Sequence, residues 1–369
     1  MAVLSHRRTS FQLDELLSAV RRGKPLEDES IRFMLGVTEP GLVGRIFQAA
    51  RKARDEHFGN KIFLYGFVYF STFCRNDCVF CQYRQGNPMS LRYRKSSDEI
   101  LAASDRLAEA GVHLIDLTMG EDPQLLGEES GDNGFLLDRL REVKKSTGLP
   151  LMISPGVVPT DYFGRLAGAG ADWYACYQET HTRSLFTRLR QGQSFDGRWE
   201  AKLNAKASGM LIEEGILTGV GETADDISAS FSMMRMLDPD QVRVMTFVPQ
   251  PGTPMQDSPA PDSLRELLII AMLRLAFSDR LIPASLDIEG LEGLQLRLDA
   301  GANVVTSLIA PGAGLAGVAS LTRGIEDSMR MPFAVNPVLS SCGLTAASRG
   351  DYANWMQERR RAARSGKSG

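Results

Sequence analysis

The sequence is sparing with the features that most often betray a function. Its 369 residues include five cysteines and four histidines. Three of the cysteines share one short stretch, which argues against a disulfide framework and for a reducing compartment. The histidines, His6, His57, His113 and His181, form no ligand pair. A net charge of −3 offers no electrostatic case for nucleic acid or an anionic membrane surface, and neither is expected as a partner. The longest apolar runs, 62–70 and 267–273, fall far short of a bilayer-spanning helix. The stretch from Met1 to Arg8 lacks the apolar core of a signal peptide, so a cytoplasmic location is expected. No repeat of solenoid period is present.

What is present is an ordinary globular composition, 43% hydrophobic and 24% charged, in a chain long enough for a large core. The beginning reads as helical. Leu13, Leu16, Leu17 and Val20 fall on one helix face, Gly23-Lys-Pro25 ends that helix, and a longer one runs from about Leu42 to Phe58. From Lys61 strands and helices alternate. Strands are expected over 62–70, 113–119, 151–154, 173–178, 215–220, 242–248, 282–288 and 304–309. Ser96-Ser-Asp-Glu99 is a capping box for a helix ending at Gly111, and further helices are expected over 135–147, 162–169, 198–209, 224–237, 264–277 and 291–300. Eight alternating units imply a parallel sheet and favour an α/β fold of the (β/α)8 TIM type over a doubly wound open sheet. The expected division is an N-terminal helical extension (1–60), a barrel (61–330), and a C-terminal segment and tail (331–369). The basic end, 359–369, reads as a frayed terminus without function.

Directly after the first strand comes Cys74-Arg-Asn-Asp-Cys78-Val-Phe80-Cys81. Thiolates clustered on one loop suit zinc or an iron–sulfur cluster. Structural zinc wants four ligands, usually as two pairs, whereas Cys176 and Cys342 stand elsewhere and read as small core residues. Three thiolates can hold three corners of a 4Fe-4S cluster and leave one iron open. This C-x3-C-x2-C spacing, with an aromatic before the last cysteine, resembles the radical S-adenosylmethionine superfamily. That resemblance implies a barrel whose open iron binds S-adenosylmethionine and whose reduced cluster cleaves it to a 5′-deoxyadenosyl radical. It also implies cofactor contacts at Gly120 and Glu121 after the second strand, where Met119 replaces a glycine, and at Ser154 after the third. Tyr177-Gln-Glu179-Thr and Arg198 resemble a pairing of the biotin synthase-like branch, in which both contact the cofactor. Gly215-Ile-Leu-Thr-Gly219-Val-Gly221 resembles the fifth-strand glycine motif near the adenine.

Charges amid apolar strand residues are a further clue. Asp116, Arg243 and Asp287 each sit in such a run, and Ser285 is two residues before Asp287, on the same side of its strand. Buried charges are costly unless paired. Either they pair with one another as a structural network, or they await a ligand with two ammonium groups and one carboxylate, such as a diamino acid. Segments from Phe58-Gly-Asn to Leu298-Asp-Ala-Gly-Ala-Asn303 resemble the methylornithine synthase family of pyrrolysine biosynthesis. That resemblance implies an isomerase acting on L-lysine to form (3R)-3-methyl-D-ornithine. Hydrogen abstraction by the adenosyl radical, fragmentation to a glycyl radical and an aminobutene, and recombination would follow, with Asp116, Arg243, Ser285 and Asp287 as substrate contacts. An electron donor is implied as partner. The alternatives are another biotin synthase-like radical enzyme or a non-catalytic iron–sulfur carrier.

Overall fold

The structure, a computed structural model, describes residues 2–126, 134–317 and 330–364. Eight parallel strands form the body: β1 (Lys61–Ser71), β2 (Leu114–Met119), β3 (Leu151–Ser154), β4 (Ala171–Ala175), β5 (Leu211–Thr218), β6 (Gln241–Thr246), β7 (Pro283–Ser285) and β8 (Val304–Leu308). They follow the order β6-β5-β4-β3-β2-β1-β8-β7. Only one bridge, Gln241 to Leu281, links β6 towards β7 among the described residues, so the barrel is nearly closed. The TIM-type expectation holds.

Helices cover the outside. They include α4 (Ser97–Glu109), α5 (Gly134–Thr147), α6 (Tyr162–Ala169), α7 (Arg183–Leu189), α8 (Phe195–Ala207), α9 (Ala224–Leu237), α10 (Ser263–Ala276) and α11 (Leu294–Asp299). The capping box at Ser96 forms as expected, with Glu99 closing it. The N-terminal extension comprises α1 (Ala2–Arg21), α2 (Asp28–Leu35) and α3 (Pro40–Phe58). Its α3 packs on α10 and its α2 on α9 and α10. This explains the apolar run 267–273: α10 is covered on both sides, and residues 266–274 are all buried.

Along β1 the side chains alternate as a two-residue period requires. Phe63, Tyr65, Phe67 and Tyr69 enter the barrel interior with Leu114, Met152, Trp173, Leu211, Leu281 and Val304, while Ile62, Leu64 and Val68 join the core beneath the helices. The interior's lower end is filled by a part of the chain that carried little pattern. After α12 (Pro332–Ser341), β9 (Thr345–Ala346) pairs with the start of β1, and α13 (Arg349–Arg364) lies across the bottom. Tyr352 Oη meets Tyr65 Oη at 2.7 Å, and Trp355 stacks on Trp173 with ring centroids 5.9 Å apart. Arg359, expected in a frayed end, is buried and donates to Asp240 at 2.9 Å; residues 365–369 lie outside the described residues.

Three strand boundaries differ from expectation in ways that matter. β4 stops at Ala175 rather than 178, because the chain turns there and Glu179 takes a left-handed backbone, φ 66°. β5 starts four residues earlier than expected, with Glu213 and Glu214 fully buried within it. β7 ends at Ser285, so Asp287 sits in the following turn rather than within the strand.

Candidate active site

A cavity of about 240 Å³ opens at the C-terminal ends of the strands. Its lining includes Cys74, Cys78 and Cys81 together with Gly120, Glu121, Ser154, Glu179 and Arg198. Deeper in the barrel it includes Asp116, Arg243, Ser285 and Asp287. Residues more than two hundred positions apart in the chain thus share one chamber, at the end of the barrel where TIM-type folds carry chemistry.

The cysteine loop is pinned from both sides. Arg75 N donates to Glu121 O at 2.9 Å, and Val79 N donates to Leu189 O at 2.9 Å. Gly120 is needed where the loop crosses the second strand's end: a Cβ there would stand 2.2 Å from Phe73 O and 2.9 Å from Cys74 Cβ. Hydrogen-bond donors already point at the sulfurs. Gln193 Nε2 lies 3.0 Å and Arg190 Nη1 3.4 Å from Cys78 Sγ, and Asn76 N lies 3.5 Å from Cys74 Sγ. Burial pushes the Cys74 thiol up to about 11, so ionising the three together needs a compensating cation. Among the described residues, no three His, Cys, Asp or Glu side chains converge as ligands of a single metal ion would. The donor set, three sulfurs with hydrogen bonds aimed at them on one wall of a chamber, fits a thiolate-held cluster.

Next to the loop lie two linked ion pairs. Arg198, one turn inside α8 and only 5% exposed, donates to Glu121 Oε1 at 2.9 Å and to Tyr177 O at 3.0 Å. It is not a solvated residue at a helix start. Burial opposes ionisation of Glu121, but Arg198, a hydrogen bond with Asn76, the charge of Arg75 and the Val157 N–H together outweigh it and hold the carboxyl below its usual range. Glu179 pairs not with Arg198 but with Arg190, at 2.6 Å. Burial raises the Glu179 carboxyl despite that partner, and its Oε2 has no hydrogen-bond partner among the described residues. Its left-handed backbone is held by β5: Glu179 N donates to Gly215 O and Leu217 N donates to Glu179 O. A strained, half-satisfied carboxylate in a cavity is what a ligand site leaves behind.

The floor carries the strand charges. Asp116 accepts from Ser154 Oγ at 2.9 Å, while its Oδ2 has no partner among the described residues. Burial first, and then the negative charge of Glu213, push the Asp116 carboxyl up to about 7. Arg243 Nε lies 2.5 Å from Glu213 Oε1, and its guanidinium stands 5.4 Å from the centre of the Tyr177 ring. Tyr177 Oη donates to Glu213 at 2.8 Å and Gln241 Nε2 donates to it at 2.6 Å. Asp287 accepts from Ser307 Oγ at 2.6 Å, Arg330 Nη1 at 2.7 Å and Ser285 Oγ at 3.3 Å. Gly215 is required because a Cβ would stand 2.9 Å from Tyr177 and 3.0 Å from Arg243.

Sequence reasoning assigned no site role to Arg190 or Tyr177, which line this chamber, or to Glu213 and Arg330, which pair with its lining residues Arg243 and Asp287. A signal for Glu213 existed. In Leu211-Ile-Glu213-Glu214-Gly215-Ile the carboxylates interrupt an apolar run as Asp116 does, but they fall before the strand expected over 215–220. For Arg190 and Arg330 no local pattern points inward.

Comparisons with known proteins bear on this geometry. The model of the radical SAM superfamily matches residues 68–234. The chain is 43% identical to the 3-methylornithine synthase of Methanosarcina barkeri over 341 residues, 92% of this chain and 96% of that one. It is 28% identical to the FeFe-hydrogenase maturase subunit HydE of Thermotoga maritima over 294 residues, 79% of this chain and 82% of that one. A crystal structure of methylornithine synthase (PylB) superposes with a TM-score of 0.87 at 43% identity, covering 92% of this chain and 99% of that one. The maturase HydG, at 18% identity and a TM-score of 0.78 over 91% of this chain and 76% of that one, shares the fold.

Proposed function

The chain belongs to the 3-methylornithine synthases, a family of the radical SAM superfamily, and from that premise we propose how its residues serve an isomerisation of L-lysine to (3R)-3-methyl-D-ornithine in pyrrolysine biosynthesis. Cys74, Cys78 and Cys81 would hold a 4Fe-4S cluster beside the wall that would take S-adenosylmethionine. When bound, the two supply a carbon-centred radical able to take hydrogen from an unactivated side chain. Arg198 offers a fork to the cofactor's carboxylate. Gly120, Glu121, Ser154 and Glu179 line the same wall, and Glu121 holds Arg198 in place.

The observation that carries the substrate reading is the charge at the floor. Asp116, Glu213 and Asp287 face Arg243 and Arg330, so the described set carries one excess negative charge when ionised. Lysine carries one excess positive charge. Arg243 takes its carboxylate, and Asp116 and Asp287, with Ser285, take its ammonium ends. Phe67, Tyr69, Tyr177 and Met245 wall the space between, which keeps water out and holds both ends of a molecule that must stay in register as it rearranges. The barrel body 61–330 is the reacting unit in this reading, and 1–60 and 331–369 serve as cover and plug. Such a cluster would need an electron donor from outside the chain.

The test is anaerobic turnover of reconstituted enzyme with reductant, S-adenosylmethionine and L-lysine. Because the product is an isomer of lysine, chromatographic separation must precede mass spectrometry. A new peak of lysine's mass is expected. Cleavage of S-adenosylmethionine with lysine left unchanged would sink the substrate assignment.

A further inference from the structure

Arg190 stands outside every residue set anticipated from the sequence, yet it touches two of them. Its Nη1 donates to Cys78 Sγ at 3.4 Å and its Nη2 to Glu179 Oε1 at 2.6 Å. Gln193 Nε2 donates to the same sulfur at 3.0 Å and accepts from Arg190 Nη1 at 3.4 Å through its Oε1. Arg190 is 7% exposed, and its Nε has no hydrogen-bond partner among the described residues. Its place is fixed by backbone on both sides. It caps the end of α7, donating its N–H to Phe186 O at 2.8 Å. The residue before it, Leu189, accepts from Val79 N, which lies between two of the cysteines. The Phe80 ring lies 5.4 Å beneath the guanidinium.

A buried cation that donates to one sulfur of a thiolate-held cluster favours whichever oxidation state carries more negative charge, which is the reduced one. We infer that Arg190, seconded by Gln193, raises the reduction potential of the cluster that Cys74, Cys78 and Cys81 would hold. It is a positioning and tuning residue that ties the cluster loop to Glu179 through one charge. Because that charge also serves Glu179, occupancy of the neighbouring cofactor wall and reduction of the cluster are coupled, each affecting the other equally. The inference rests on the cluster reading but not on the lysine reading.

The experiment is a redox titration of the reconstituted full chain, followed by electron paramagnetic resonance with no lysine present. Arg190→Gln lowers the midpoint potential enough to change the ratio of oxidised to reduced cluster at least tenfold, about 59 mV for one electron. Arg190→Lys keeps the charge and retains most of the wild-type potential. Gln193→Leu lowers it by less. Iron and sulfide content shows whether each variant carries the same cluster. An Arg190→Gln protein with a full cluster and the wild-type potential overturns the inference. Should Arg190→Gln fail to hold a cluster, Gln193→Leu decides: a lowered potential supports the inference and an unmoved one overturns it. A wild-type chain that takes up no cluster overturns the cluster reading and this inference with it.

Discussion

The two ends of one barrel treat buried charge in opposite ways. At the bottom, Asp238 accepts from Arg280 at 2.5 Å on one oxygen and from Lys206 at 3.4 Å on the other. Asp240 likewise accepts from Arg359 and from the Ile212 N–H, both at 2.9 Å. At the top, Asp116 and Glu179 each keep one buried oxygen without a partner among the described residues, and Arg243 keeps an orphaned Nη2. Leaving a buried polar atom unsatisfied costs roughly 1–3 kcal/mol. The bottom is therefore built for stability, with aromatic stacking under α13 and both oxygens of Asp238 and Asp240 paired. The top sacrifices stability so that a ligand can complete it.

That contrast can be broken from either end. The largest effect expected is from Cys78→Ala, which removes one sulfur from the loop: no product forms and iron content collapses, while the thermal transition stays near the wild-type temperature. Tyr352→Ala attacks the plug and should lower stability by roughly 3–5 kcal/mol, the range for emptying a buried aromatic site. Below its lowered melting temperature, its KM for lysine should match wild type, which thermal melts and steady-state kinetics on one preparation would check. If the plug variant lost lysine affinity instead, the separation between ends would be wrong.

Arg243→Met leaves Glu213 as a buried charge without its partner and removes the seat proposed for the substrate carboxylate. A loss of about 100-fold or more in kcat/KM is expected, in keeping with the roughly 3–5 kcal/mol of a broken buried pair, with iron content and cluster spectrum unchanged. Cluster loss in that variant would mark a structural network. Glu213→Gln should cost less, about tenfold in kcat/KM, because the amide oxygen can still accept from Gln241 and the amide NH2 can donate to Tyr177 Oη, while the lost charge loosens Arg243.

The smallest effect is on pH. Asp116 has its carboxyl raised to about 7 by burial and by Glu213, against about 3.9 for an unfolded chain. Its folded form thus holds a proton that the unfolded chain has released, so this group's contribution makes the free enzyme less stable as pH rises from about 4 to 7. A cationic substrate wants the ionised form. The KM for lysine should therefore fall as pH rises through about 7, and the slope should flatten in Asp116→Asn.

These charges also show how much of the site could be read before the fold was known. Asp116 and Arg243 stand out because each interrupts a strongly apolar strand, and the barrel then turns both inward as alternation allows. The cysteine loop was legible from spacing alone. Glu213 was hidden because Glu213-Glu214 splits in two directions: one side chain faces Arg243 inside the barrel, the other reaches Lys202 and His181 behind the sheet. The sequence does not record which acid goes where until the register of β5 is known. Arg190 was hidden for a different reason. Its sulfur partner, Cys78, comes from a loop 112 residues away, and a cation at a helix end ordinarily reads as a favourable match to the helix dipole. The plug was hidden because α13 is polar on most of its surface and buries only a few large side chains, Tyr352 and Met356 among them.

The role proposed for the floor of the barrel is to select a molecule with two ammonium groups and one carboxylate. Equilibrium binding of L-lysine and L-norleucine to the reconstituted holoenzyme, with S-adenosylmethionine present, tests this most directly. Norleucine keeps the carboxylate, the α-amino group and the chain, and lacks only the second ammonium. Norleucine is expected to bind about 100-fold more weakly than lysine, the consequence of leaving a buried carboxylate unpaired. Equal affinity for the two would contradict it.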